Sequence, residues 1–124
     1  MRPGDTFLYR HPGQNMHLMV VLCKTKGDPL REEILHCVYL TTFYNSGDED
    51  AVCLFLKGDH PFIHHDSYVE YSQLLHICAD YLQTQEAIGR AVQKDPITAD
   101  QLEKIKSAAH SSEAIHPKDL KYFL

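Results

Sequence analysis

The sequence predicts a mainly β fold, a small antiparallel barrel or sandwich with a helical C-terminus. Three observations carry this. Five or six short runs rich in valine, threonine, tyrosine and leucine have the composition of strands. Glycine, proline, asparagine and aspartate punctuate them at close intervals, as the turns of a small all-β domain require. After residue 96 the apolar spacing changes from strand-like to helical.

The first strand is expected over residues 4–10, Gly-Asp-Thr-Phe-Leu-Tyr-Arg, and His-Pro-Gly-Gln-Asn at 11–15 breaks it as a loop. Apolar residues resume at Leu18–Leu22, and Lys-Thr-Lys-Gly-Asp-Pro at 24–29 turns the chain again. A third strand is expected over Ile34–Phe43, ending at the Asn-Ser-Gly-Asp turn of 45–48, and a fourth over Val52–Leu56. After Lys-Gly-Asp-His-Pro at 57–61 comes a fifth, Ser67–Tyr71, then a short apolar stretch from Leu74 to Leu82. Residues 83–91 are compatible with a helical turn.

Thr98-Ala-Asp-Gln101 is a capping box, in which the threonine hydroxyl and the glutamine amide satisfy backbone donors at a helix start. Leu102, Ile105 and Ala109 then share one face, which predicts a helix packed on the sheet, with Glu103, Lys104 and Lys106 toward water. Pro117–Phe123, with proline at a first-turn position, is expected either to dock as a second helical turn or to act as a partner-facing tail. The 124 residues therefore read as one domain, with a barrel over about residues 3–82 and a helical part over about 83–124.

Composition narrows the function classes. With 44% hydrophobic and 23% charged residues the chain is neither disordered nor fibrous. No apolar run approaches the roughly 18 residues of a membrane span, and the N-terminus has no signal-peptide pattern, so a cytoplasmic location without membrane contact is expected. Cys23, Cys37, Cys53 and Cys78 lie far apart, three of them among apolar residues, and read as buried thiols. A formal charge of −5 counts against broad non-specific binding to nucleic acid but leaves room for a local groove.

With this order of elements in hand, the chain resembles the PemK/MazF-like toxins of type II toxin–antitoxin systems. The resemblance runs through Pro3-Gly4-Asp5 before the first strand, the apolar second strand at Leu18–Leu22 and the third ending in Tyr39-Leu40-Thr41-Thr42. It continues through Ser67-Tyr-Val-Glu-Tyr-Ser-Gln-Leu-Leu-His-Ile-Cys78, and through Ile88-Gly89-Arg90 followed by the helix beginning at Thr98. It implies an SH3-like barrel and a metal-independent endoribonuclease of single-stranded RNA that needs no cofactor. It also implies a homodimer whose RNA groove an antitoxin segment covers. The family's hydroxyl at the end of the third strand carries over to Thr41 or Thr42. Its arginine between the first two strands does not: His17 lies nearest that place, and Arg10 is the closest arginine in sequence. A member that lost this arginine would be a non-catalytic binding module on the same barrel.

Metal-independent RNA cleavage needs a base for the 2′-hydroxyl, donors for the phosphorane and an acid for the leaving oxygen, and histidine can take either proton-transfer role near neutral pH. Asp59-His-Pro-Phe-Ile-His-His-Asp-Ser67 concentrates such groups, so His60, His64 and His65 are the leading catalytic candidates, with Thr41 and His17 beside them. The bland alternative is solvated or hydrogen-bonded loop histidines. Arg10, Lys24, Thr42, Ser67 and Tyr68 are candidate RNA contacts; Tyr68 and Tyr71 should face opposite sides of their strand. His60, His64 and Asp66 match no closed zinc spacing, and no metal is expected.

Overall fold

The structure, a computed structural model, describes residues 1–10, 13, 15–27 and 32–124. Six strands form: β1 (Thr6–Arg10), β2 (Met16–Lys26), β3 (Glu33–Thr42), β4 (Leu54–Phe55), β5 (Ser67–Cys78) and β6 (Ala91–Lys94). Helix α1 (Ala79–Ala87) lies between β5 and β6; α2 (Ala99–Ala109) and a 3-10 helix (Pro117–Phe123) follow. The strands make one antiparallel sheet in the order β4-β5-β3-β2-β1-β6. β4 and β6 lie at opposite edges, so the sheet is a curled half-barrel and not a closed one.

The central strands are apolar on both faces because both are covered. Leu18, Val20, Leu22, Val38, Leu40, Val69 and Tyr71 pack against Ile105 and Ala109 of α2, Phe123 of the 3-10 helix, and Phe55 and Ile63. Phe7, Tyr9, Met19, Val21, Leu35, Cys37 and Ile77 pack on the other side with Leu82 of α1. Two irregularities curl the sheet. The β2–β3 register shifts between Val21 and Cys23, and across from Val38 the strand β5 carries four residues between Glu70 and Leu75.

The C-terminal helix follows the sequence closely. The Thr98 hydroxyl accepts from Gln101 N–H at 3.1 Å, and Thr98 N–H donates to Gln101 Oε1 at 2.9 Å. Ile105 and Ala109 are buried, whereas Leu102 is half-buried at the margin of that core. The last turn folds back on the sheet: Phe123 is buried, its ring 5.5 Å from that of Tyr71.

Several expected boundaries move. β6 lies inside the region assigned to helix; it pairs Tyr9 with Ala91 and Thr6 with Lys94. Of its residues only Ala91 is buried, so its sequence shows no alternation to read. The expected strand at Ser67–Tyr71 runs on to Cys78, and the apolar stretch after it divides between that strand and α1, which buries only Leu82 and Gln85. The fourth strand shrinks to two residues. In the loop expected at 11–15 and the turn at 24–29, residues 11, 12, 14, 28 and 29 lie outside the described residues. All four cysteines are free thiols; Cys37 and Cys53 are buried, and Cys23 and Cys78 half-buried. No helix among the described residues is long and apolar enough to cross a membrane.

Candidate functional site

The histidine-bearing loop between β4 and β5 is held by its own aspartates. Asp59 Oδ2 accepts Leu56 N–H at 2.8 Å, and Asp66 Oδ1 accepts Lys57 N–H at 2.9 Å. Gly58, at φ 93°, supplies the left-handed turn, and its N–H reaches the Ile63 carbonyl at 3.0 Å. Gln101 Nε2 ties the Asp59 carbonyl to the start of α2 at 2.9 Å. The Lys94 ammonium caps the Phe62 ring at 4.0 Å. These contacts fix where the following residues point. His64 and His65 are exposed, and His64 stands edge-on to Phe62 at 5.9 Å.

These two histidines open onto a groove of about 640 Å³. Its other side comes from the strands. Met16 at the start of β2 and Thr42 at the end of β3 face it, and Ser67 at the start of β5 completes it. His17 and Thr41, each next to one of these on its strand, border it with their side chains on the opposite face of the sheet beside Tyr39. The register makes this meeting possible, since Leu18 pairs with Leu40 and Thr42 with Ser67. Leu8, Leu18, Leu40 and Ile63 form an apolar floor, and Tyr44, 80% exposed, stands at the rim. No carboxylate, lysine or arginine is among the described residues lining it, so imidazoles are its only titratable cations.

His17 is oriented for proton transfer. Its Nδ1 lies 3.3 Å from the Leu40 carbonyl, which can only accept; the ring hydrogen therefore sits on Nδ1, and a neutral ring keeps its lone pair on Nε2. The ring leans on Tyr39 with centroids 4.7 Å apart. Burial, and then the nearby Glu70 carboxylate, push the Tyr39 phenol above its ordinary pKa, and its hydroxyl donates to Gln73 at 2.8 Å. Ser67 Oγ donates to the His65 carbonyl at 2.8 Å, which makes this serine a brace for the loop.

The groove thus gathers Thr42, His64, His65 and Ser67, with His17 and Thr41 at its border. The other four candidates lie elsewhere. His60 is buried: Phe62 N–H donates to its Nδ1 at 3.0 Å, so Nε2 bears the hydrogen given to the Asp95 carbonyl. With both nitrogens engaged it is a structural histidine. Lys24 lies beyond the β2 irregularity, 3.7 Å from Glu33 and away from the β2 start that forms the groove. Tyr68 and Tyr71 do face opposite sides, but both are buried. Desolvation, then Glu70, hold the Tyr68 phenol up at about 12, and Tyr71 donates to the Ile105 carbonyl at 2.7 Å. Arg10 lines a neighbouring cleft with Met16, Gly89 and Arg90.

Sequence reasoning missed Tyr44, Phe62 and Met16 of the groove; an aromatic directly after the third strand was the available signal for Tyr44. A separate cavity of about 380 Å³ flanks the widened part of β5, between Tyr9, Met19, Tyr39 and Leu75 on one side and His116 and Lys118 on the other. It shares only His17 with the groove. Among the described residues no group of three or more histidine, cysteine or acidic side chains is placed to hold a metal ion. In comparisons with family models, curated proteins and solved structures, nothing matched the chain.

Proposed function

We propose that this chain is a toxin-like endoribonuclease that cleaves single-stranded RNA without a metal ion in the groove bordered by the His64–His65 pair and the ends of β2 and β3. The observation that carries the reading is the meeting there of the two loop imidazoles with the Thr42 hydroxyl of β3, over an apolar floor with Tyr44 at its rim. One imidazole takes the proton of a ribose 2′-hydroxyl, whose oxygen attacks the adjacent phosphorus. The phosphorus–O5′ bond breaks, and a second, protonated imidazole gives its proton to the departing oxygen, leaving a 2′,3′-cyclic phosphate. The hydroxyl of Thr42 is a donor for a phosphorane oxygen, and Tyr44 is a platform on which a base can stack. The same reading implies a cytoplasmic homodimer whose groove is silenced by an antitoxin segment.

A second reading is a binding module that uses the groove without cleaving. The specific observation in its favour is that no arginine or lysine lines the groove among the described residues. Incubating pure protein with mixed-sequence single-stranded RNA in chelator separates the two. Fragments ending in cyclic phosphate support the enzyme; intact RNA that is nevertheless bound supports the module; neither cleavage nor binding removes both.

A further inference from the structure

We infer that Arg10 and Arg90 form a phosphodiester subsite beside the histidine groove, on the path of the same single strand; this rests on the RNA reading above. Arg90 is positioned by the end of α1. Gly89, at φ 78°, takes the left-handed turn, its N–H reaching the Glu86 carbonyl at 3.1 Å, while Arg90 N–H reaches that of Gln85 at 2.9 Å. β6 begins directly afterwards and pairs with β1, so Arg90 comes to the end of β1 where Arg10 stands. The two arginines line one open cleft of about 480 Å³ with Met16 and Gly89. Both side chains are exposed, and neither has an ion pair or side-chain hydrogen bond among the described residues.

Two guanidiniums lining one cleft with no carboxylate among its described residues are notable in a chain of net charge −5, where acidic partners are plentiful. Like charges brought together in this way repel until an anion joins them, and a phosphodiester matches the planar donor fork of arginine. Met16 lines both this cleft and the histidine groove, so the two adjoin at that residue. A strand whose reacting ribose lies at His64 and His65 therefore carries a flanking phosphate past Met16 onto the arginine pair.

The salt dependence of binding tests this, using a mixed-sequence 2′-O-methyl RNA of about 12 nucleotides, which cannot cleave itself, between about 50 and 200 mM salt. Each phosphate neutralised on a single strand contributes about 0.7 to the slope of log affinity against log salt. The double variant Arg10→Gln, Arg90→Gln is expected to flatten the slope by about 0.7–1.4 and to weaken low-salt binding several-fold. Arg10→Lys with Arg90→Lys should keep the slope. An unchanged slope in the glutamine variant, with the wild type binding normally, overturns the subsite and leaves the groove reading standing. Failure of the wild type to bind overturns both.

Discussion

The Nδ1 atoms of His36 on β3 and His76 on β5 lie 2.7 Å apart, a hydrogen bond that joins two residues 40 positions distant in sequence. Only one of the two can donate, so the pair cannot carry a hydrogen on both facing nitrogens. His36 Nε2 is 2.7 Å from Thr25 Oγ1, and Tyr122 of the 3-10 helix stacks on the His36 ring at 4.2 Å. Desolvation first, then His76 and Lys121, lower the His36 pKa. The unfolded chain therefore binds more protons at this site than the folded one as pH falls below the ordinary histidine value of about 6.5. The stabilisation is present above that pH and is lost on descending toward the lowered folded value. The melting temperature should fall between about pH 7 and 5, and His36→Leu should flatten that part of the profile. A wild-type profile level across this range would show that the pair does not titrate with folding.

The two kinds of loop histidine should separate cleanly. His60→Ala removes a buried side chain and leaves the part-buried Phe62 N–H without its acceptor, and should cost about 1–3 kcal/mol. His64→Ala and His65→Ala, at exposed positions, should stay within about 0.5 kcal/mol of wild type in denaturant titrations. Under the ribonuclease reading, loss of a proton-transfer imidazole should slow RNA cleavage by about 10²–10⁴. Equal cleavage by both exposed-site variants would exclude them from the chemistry.

Helix α2 offers a graded test of burial. Ile105→Ala empties a fully buried position and should cost about 2–5 kcal/mol, whereas Leu102→Ala, half-buried, should cost less. Chemical denaturation of the two variants would detach α2 from the core if Ile105→Ala were neutral.

Gln101 serves both the cap and the loop, through Thr98 N–H and the Asp59 carbonyl. Gln101→Ala should therefore cost about 1–2 kcal/mol and also raise amide exchange at residues 58–63. Thr98→Ala, which touches only the cap, should cost about 1 kcal/mol and leave loop exchange unchanged. Identical exchange patterns in the two variants would mean that Gln101 does not brace the loop.

Deleting residues 117–124 should lower the melting temperature, because Phe123 is buried against Tyr71 and Tyr122 covers the histidine pair. A truncated protein as stable as the full chain would leave the tail free to serve a partner.

What was legible in the sequence was what is decided locally. The cap at Thr98 and Gln101 lies within four residues, and the turn chemistry around Gly58 and Asp59 within five, so both could be read directly. The mainly β class followed from the same local signals. The groove was half legible: histidine and threonine chemistry marked His64, His65 and Thr42, but only strand register decides that they meet, and the same register turns His17 and Thr41 to the other face. His60, four residues before His64 and equally polar in sequence, turns inward, where its ring bonds the Asp95 carbonyl and the Phe62 N–H. Arg90 and the His36–His76 pair were illegible because each depends on a strand pairing distant in sequence.

The pairing of β1 with β6 has a consequence for how the chain is made. The outer edge of Thr6–Arg10 waits for partners that the ribosome adds some 80 residues later, on the order of 4–16 s at synthesis rates of about 5–20 residues per second. During that interval β2 can already zip onto β1 and β3 onto β2, but the far side of β1 presents unsatisfied amides and carbonyls to any neighbouring strand. β6 is thus a late-arriving seal, and slow translation through α1 lengthens the time in which nascent chains can stick to one another by this edge.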